Sequence, residues 1–94
     1  MKLVQWISPN RPSESCIETW LAQLTANDVL LLRQDGVYAM LLAWPAELQC
    51  RCCVLQVDVE ARAIVPKAHW QTISDQQWVA LAAQAEPVVL CPIL

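Results

Sequence analysis

The sequence predicts an α/β fold: a single three-layer α/β/α sandwich over residues 1–94, built on a mostly parallel sheet of about four to five strands. Three observations carry that prediction. Hydrophobic residues make up 56% of the chain and charged residues only 16%, against roughly 25% charged in an ordinary domain, so a packed core is expected and disorder is excluded. Val29–Leu32 and Cys52–Val57 run apolar rather than strictly alternating, the pattern of strands covered on both faces. Ile17, Trp20, Leu21 and Leu24 recur at i, i+3, i+4 and i+7, as do Trp78, Leu81, Ala82 and Ala85, and each set makes one apolar helix face.

The elements follow in order. Leu3–Ile7 reads as the first strand, ended by Ser8-Pro9-Asn10-Arg11-Pro12, whose prolines remove backbone donors. The first helix has two competing starts, Ser13 after Pro12, or Ser15 with Glu18 as a capping box, and it stops at Asn27-Asp28. After Val29–Leu32, Gln34-Asp35-Gly36 holds the only glycine of the chain, so a turn with positive φ is expected there. Val37–Leu42 reads as a short helix that stops near Trp44-Pro45. Cys52–Val57 is the next strand, with a polar helical turn around Asp58–Ala63 after it. Ile64–Ile73 carries little signal beyond a short strand near Trp70–Ile73. Ser74 with Gln77 caps the last helix, Pro87 ends it, and Val88–Cys91 closes the series as a strand.

Charge and length exclude whole classes of function. Six basic against nine acidic residues leave a net charge of −3 with no basic run, so direct nucleic-acid binding is not expected. The longest clean apolar run, Val29–Leu32, is far short of the roughly 18 residues of a membrane span. The apolar stretch after Lys2 is too short for a signal peptide, so a cytoplasmic chain with mostly reduced cysteines is expected. A domain this small buries only about 60–70% of its unfolded surface, and the apolar surplus calls for a partner or a second copy.

Cysteine is the chemical lead. His69 is the only histidine and no nucleophile motif lies near it; one glycine builds neither a phosphate-binding loop nor a dinucleotide fingerprint, and no cofactor is implied. Cys16 falls in the first helical turn under either cap, where free N–H groups and the helix dipole favour a thiolate; the competing reading is a half-buried filler. Cys50 and Cys53 stand at C-x-x-C spacing, but a strand rather than a helix follows them, which argues against a thioredoxin-type motif. Zinc would need two more ligands from Cys16, His69 and Cys91, which lack paired spacing, so no metal is expected. Buried or edge-strand cysteines, with Cys91 as packing, are the alternative, and the five tryptophans read as core or interface anchors.

Asp28-Val29-Leu30-Leu31-Leu32-Arg33-Gln34-Asp35-Gly36-Val37-Tyr38-Ala39 resembles the D-x-L-L-L-x-Q-D-G-V-x-A signature of the TusB/DsrH family of sulfur-relay proteins. Ser8-Pro9, Leu55 through Asp58-Val59-Glu60-Ala61-Arg62-Ala63, and Ile73-Ser74 through Trp78-Val79-Ala80-Leu81 resemble further stretches of the same family, with Ala63 where the family has glycine and Trp78 where it has phenylalanine. The cysteines at 50, 52 and 53 lie outside the family pattern. The resemblance implies a small α/β subunit of a heterohexamer with TusC/DsrF-like and TusD/DsrE-like chains, which carries persulfide sulfur toward a downstream acceptor. The end point is tRNA wobble-uridine 2-thiolation in one branch and sulfur oxidation in the other. It also implies that the main catalytic cysteine belongs to another subunit. Cys16 falls where some DsrH-like chains have a cysteine, and is the possible persulfide acceptor; Asp35, Gly36, Val37 and Tyr38 form the loop expected to meet a partner.

Overall fold

Five short strands lie side by side, all parallel, in the order β4-β3-β2-β1-β5. The computed structural model describes residues 1–91. Along the chain come β1 (Leu3–Trp6), α1 (Glu14–Gln23), β2 (Val29–Leu32), a 3-10 segment (Gln34–Leu41), β3 (Arg51–Leu55), α2 (Gln56–Ala61), β4 (Gln71–Ile73), α3 (Asp75–Gln84) and β5 (Val88–Cys91). The α/β sandwich expected from the sequence is the fold observed, with the sheet entirely parallel.

Strand periodicity sorts the side chains onto two faces. Val4, Trp6, Leu30, Leu32 and Val54 join Ile17 and Trp20 of α1, Val37 and Met40 of the 3-10 segment, and Val59 of α2. Leu3, Val29, Leu31, Cys53, Leu55 and Ile73 face the other way, against Trp78, Leu81, Ala82 and Ala85 of α3. Connections from β1 through β4 therefore run over one face, and α3 returns over the other to place β5 beside β1. All four β2 residues are fully buried, which is why this strand shows no alternation in the sequence.

The caps resolve as hydrogen bonds. Ser13 starts α1, its hydroxyl accepting from the Cys16 amide at 3.2 Å, so the first of the two competing starts is the one used. Ser74 and Gln77 form a reciprocal capping box on α3. Leu21, expected on the apolar stripe of α1, is exposed instead. Before β2, the buried Asp28 carboxylate accepts from the amides of Lys2 at 2.7 Å and Thr25 at 2.8 Å and from the Thr25 hydroxyl at 3.2 Å. Those bonds hold its pKa below the ordinary carboxylate range. Asp28 thus ties the turn after α1 to the start of β1.

The structure departs from the sequence reading in several details, among them that α1 ends at Gln23 rather than at Asn27-Asp28 and that α2 spans Gln56–Ala61 rather than Asp58–Ala63. The expected strand Cys52–Val57 is shifted: it begins at Arg51, ends at Leu55, and Val57 already belongs to α2. The expected Val37–Leu42 helix is instead a 3-10 segment that begins at Gln34 and ends at Leu41. The positive φ expected at Gly36 belongs to Gln34, at 53°, while Gly36 itself has none. Glycine is needed at 36 for room: a Cβ there would stand 2.0 Å from the Trp6 carbonyl oxygen and 2.8 Å from its carbon. Ala63 also takes a positive φ, of 52°.

Candidate functional site

Cys16 sits in the first turn of α1, half-buried against the aromatic side of the core. Cys91 ends β5 opposite Trp6 of β1 and packs against the same cluster. The register therefore puts both thiols on the α1 face at the carboxyl edge of the sheet. This is where the order reverses between β1 and β5, the place where open α/β sheets form ligand crevices. The helix terminus does not produce the lowered pKa expected for Cys16. Burial pushes its thiol up, and the neighbouring Cys91 thiol adds to the rise. The Cys16 amide is already taken by the Ser13 hydroxyl, and desolvation outweighs what remains of the helix end.

The four residues of the expected partner loop have different surroundings. Gly36 lies under the Trp6 carbonyl and Val37 is fully buried. Asp35 accepts from Arg62 Nε at 3.2 Å and Nη2 at 3.0 Å. Tyr38 alone is both apolar and exposed, beside exposed Leu41 and Leu42 in the same stretch. Asp58 completes the cluster, accepting from the Gln34 amide at 2.7 Å and facing Arg62 Nη1 at 3.5 Å. Two sequence segments that look unrelated, Gln34-Asp35-Gly36 and Asp58 through Arg62, are therefore one structural unit. Asp58 and Arg62 hold the left-handed Gln34 in place; nothing in their local sequence signals this.

The cysteines near residue 50 separate differently from the C-x-x-C reading. Cys53 points to the α3 face and Cys50 to the α1 face, so that pair is split across the sheet. Cys50 and Cys52 share the α1 face and line one cavity of about 490 Å³ with Trp44, Arg51, His69 and Trp70. Cys52 Sγ donates to the Cys50 carbonyl oxygen at 3.7 Å. That thiol donor pulls Cys50 below its ordinary pKa against the opposing effect of burial, and raises Cys52 far above its own. Burial raises Cys53. The missed signal was the C-x-C spacing itself, which on a strand returns two side chains to one face.

Four tryptophans connect these regions. Trp6 meets Trp20 edge-on at 5.8 Å between centroids, Trp20 stacks on Trp44 at 6.5 Å, and Trp44 meets Trp70 edge-on at 5.2 Å. The expectation of core anchors holds for Trp6, Trp20 and Trp70, which are buried; Trp44 forms a cavity wall. Among the described residues, no three His, Cys, Asp or Glu side chains converge as a metal would require, and no helix is long and apolar enough to cross a membrane.

No curated protein gives a significant match to this chain. A family model described as "DsrH like protein" matches residues 10–88, from the loop before α1 to the first residue of β5. That span includes Cys16, the Asp35–Tyr38 loop with its Asp58–Arg62 brace, and the cysteines of β3, and on it the chain belongs to the DsrH-like family.

Proposed function

We propose that the chain is a subunit of a cytoplasmic persulfide relay of the TusBCD/DsrEFH type, assembled with TusC/DsrF-like and TusD/DsrE-like chains. The relay passes sulfur toward tRNA wobble-uridine 2-thiolation. The observation that carries this reading is Cys16, half-buried beside Cys91 at the carboxyl edge of the sheet in a chain of the DsrH-like family. In the transfer, the Cys16 thiolate attacks the outer sulfur of a partner's persulfide. A new S–S bond forms on Cys16, the partner's S–S bond breaks, and the partner leaves as a thiolate. Tyr38, Leu41 and Leu42 offer the exposed apolar contact for a sister subunit, while Asp35, Gly36 and Val37 shape the loop behind it. With a net charge of −3 the chain does not hold tRNA itself; another protein does.

The raised Cys16 thiol favours a second reading, a non-catalytic scaffold for the active chain. A deletion strain complemented with Cys16→Ser separates the two. Loss of 2-thiouridine supports Cys16 as a carrier; full restoration makes the chain a scaffold. If deletion leaves 2-thiouridine intact but stops oxidation of reduced sulfur, the relay belongs to the sulfur-oxidation branch. Co-purification with DsrE-like and DsrF-like chains tests the assembly, and a stable lone monomer in cells that express all three would overturn it.

A further inference from the structure

One face of the sheet is covered by α1, the 3-10 segment and α2, and the other by α3 alone. Five strands about 4.8 Å apart make a sheet roughly 20 Å wide, and one helix is about 10 Å across, so part of the α3 face stays bare. The bare part lies over β5. Gln77, Ala80 and Gln84 of α3 line a groove with Arg51 and Ile73, toward β3 and β4. At about 3.6 residues per turn, Val79 falls on the opposite flank of the helix, and it is 64% exposed. Val88 and Leu90 stand in register with Leu3 and Gln5 of β1, so their side chains share the α3 face. Both are exposed nonetheless, by 44% and 43%.

Arg33 stands beside this apolar strip. Its amide donates to the Trp6 carbonyl at 3.1 Å, its Nε donates to the buried Gln5 Oε1 at 2.6 Å, and its guanidinium lies 4.8 Å from the centre of the Trp78 ring. Backbone, Nε and one π face are thus fixed, which leaves the two Nη groups for an acceptor. Among the described residues Arg11 is paired with Glu14 and Arg62 with Asp35 and Asp58, whereas Arg33 meets no carboxylate.

We propose that the strip over β5 and β1 receives a helix of a sister relay subunit, which lies alongside α3 and places a carboxylate on the Nη groups of Arg33. The inference rests on the relay reading for the identity of that partner. Shape and charge each select the occupant. A helix 8–10 Å from α3 completes the half-built layer, with Val79, Val88 and Leu90 as its apolar floor. A held guanidinium matches a carboxylate in a fork that few other groups fit. Arginine on tryptophan beside apolar side chains is also the composition of interface hot spots. Tyr38, Leu41 and Leu42 belong to the stretch that covers the other face, so a chain with two different sisters has two separate contact surfaces.

The test mixes the full chain with its DsrE-like and DsrF-like chains and reads affinity and hydrogen–deuterium exchange. The expected footprint covers α3 and β5 of this chain and one acid-bearing helix of a sister. Arg33→Glu should weaken association at least about 30-fold, and changing the protected sister carboxylate to arginine should recover at least about tenfold. Val79→Glu, at an exposed helix position, should weaken it too, and keeps the test open if Arg33→Glu disturbs Trp78. Association indifferent to both substitutions would overturn this inference and leave the relay reading standing. No association of the wild type with either sister would overturn the relay reading and this inference with it. Arg33-dependent pairing between copies of this chain alone would give the strip to a second copy and overturn the sister assignment.

Discussion

The two faces of the sheet are finished to different degrees. On the α1 face, Trp6, Trp20, Trp44 and Trp70 form an unbroken aromatic contact, and Ile17, Val37, Met40 and Val59 seal it. On the other face α3 contributes no fully buried residue, and Val79, Val88 and Leu90 stand exposed around it. Four of the five cysteines, at 16, 50, 52 and 91, lie on the sealed face; Cys53 alone faces α3. Both faces of the sheet carry a buried core, but only the covering layer on the α1 face adds buried residues of its own, and four of the thiols lie with that core. The apolar surplus in the composition remains largely on the surfaces that α3, β5 and the 3-10 segment present.

The largest effect separates the faces directly. Trp20→Ala should cost about 3–5 kcal/mol, because it removes a buried indole in contact with two others. Trp78→Ala on the α3 face should cost roughly 1–2 kcal/mol, since that ring is only partly buried and its Nε1 has no partner. Urea midpoints of the two variants measure the contrast, and equal losses would show that the faces carry equal weight. Asp28 belongs to neither face and sharpens the comparison as a control. Asp28→Ala should cost about 2–3 kcal/mol by orphaning the amides of Lys2 and Thr25. The pH dependence has a definite sign. The folded pKa of Asp28 is lowered, so its contribution is complete above the unfolded carboxylate value and is lost as pH falls through the folded one. Acid titration of the melting temperature should show a wild-type decline that Asp28→Ala lacks.

The next contrast lies within the sealed face. Alkylation of Cys16 should rise with pH past the ordinary thiol value, because burial and Cys91 hold its proton. Cys50 should reach half-maximal rate at lower pH than Cys16, because the neighbouring Cys52 thiol lowers its pKa whereas burial raises that of Cys16. Site-resolved iodoacetamide kinetics would break the comparison if the order were reversed. The smallest effect is expected at Ala63. An L-residue in the left-handed region costs about 1–2 kcal/mol, so Ala63→Gly should stabilise the chain by about 0.5–1 kcal/mol after the added freedom of the unfolded glycine. A neutral or destabilising result in thermal melts would show that the strain is relieved elsewhere.

The sheet, its order of elements and the two major helices were legible because their signals are local: apolar runs in β2 and β3, helical stripes in α1 and α3, and serine caps. The boundary of β3 was not, because Gln56 and Val57 suit a strand as well as a helix, and the fold resolves them into α2. The site was legible only in part. Cys16 was marked by its place in the first turn of α1, but its neighbour Cys91 lies 75 positions later and meets it only through the β1–β5 register. The C-x-x-C spacing drew attention to Cys53, but the pleat puts Cys52, not Cys53, on the same face as Cys50.

By itself, the sequence determined the α/β class, the mostly parallel sheet and the Ser74 capping box of α3, since periodicity and capping act within a few residues of chain. Only the tertiary structure decided why Gly36 must be glycine, why Arg62 and Asp58 matter to Gln34 and Asp35, and which cysteines share a face. It also decided the direction of each thiol's pKa. Those properties come from burial and from donors brought together across the sheet, and desolvation and hydrogen bonding depend on who the neighbours are in space.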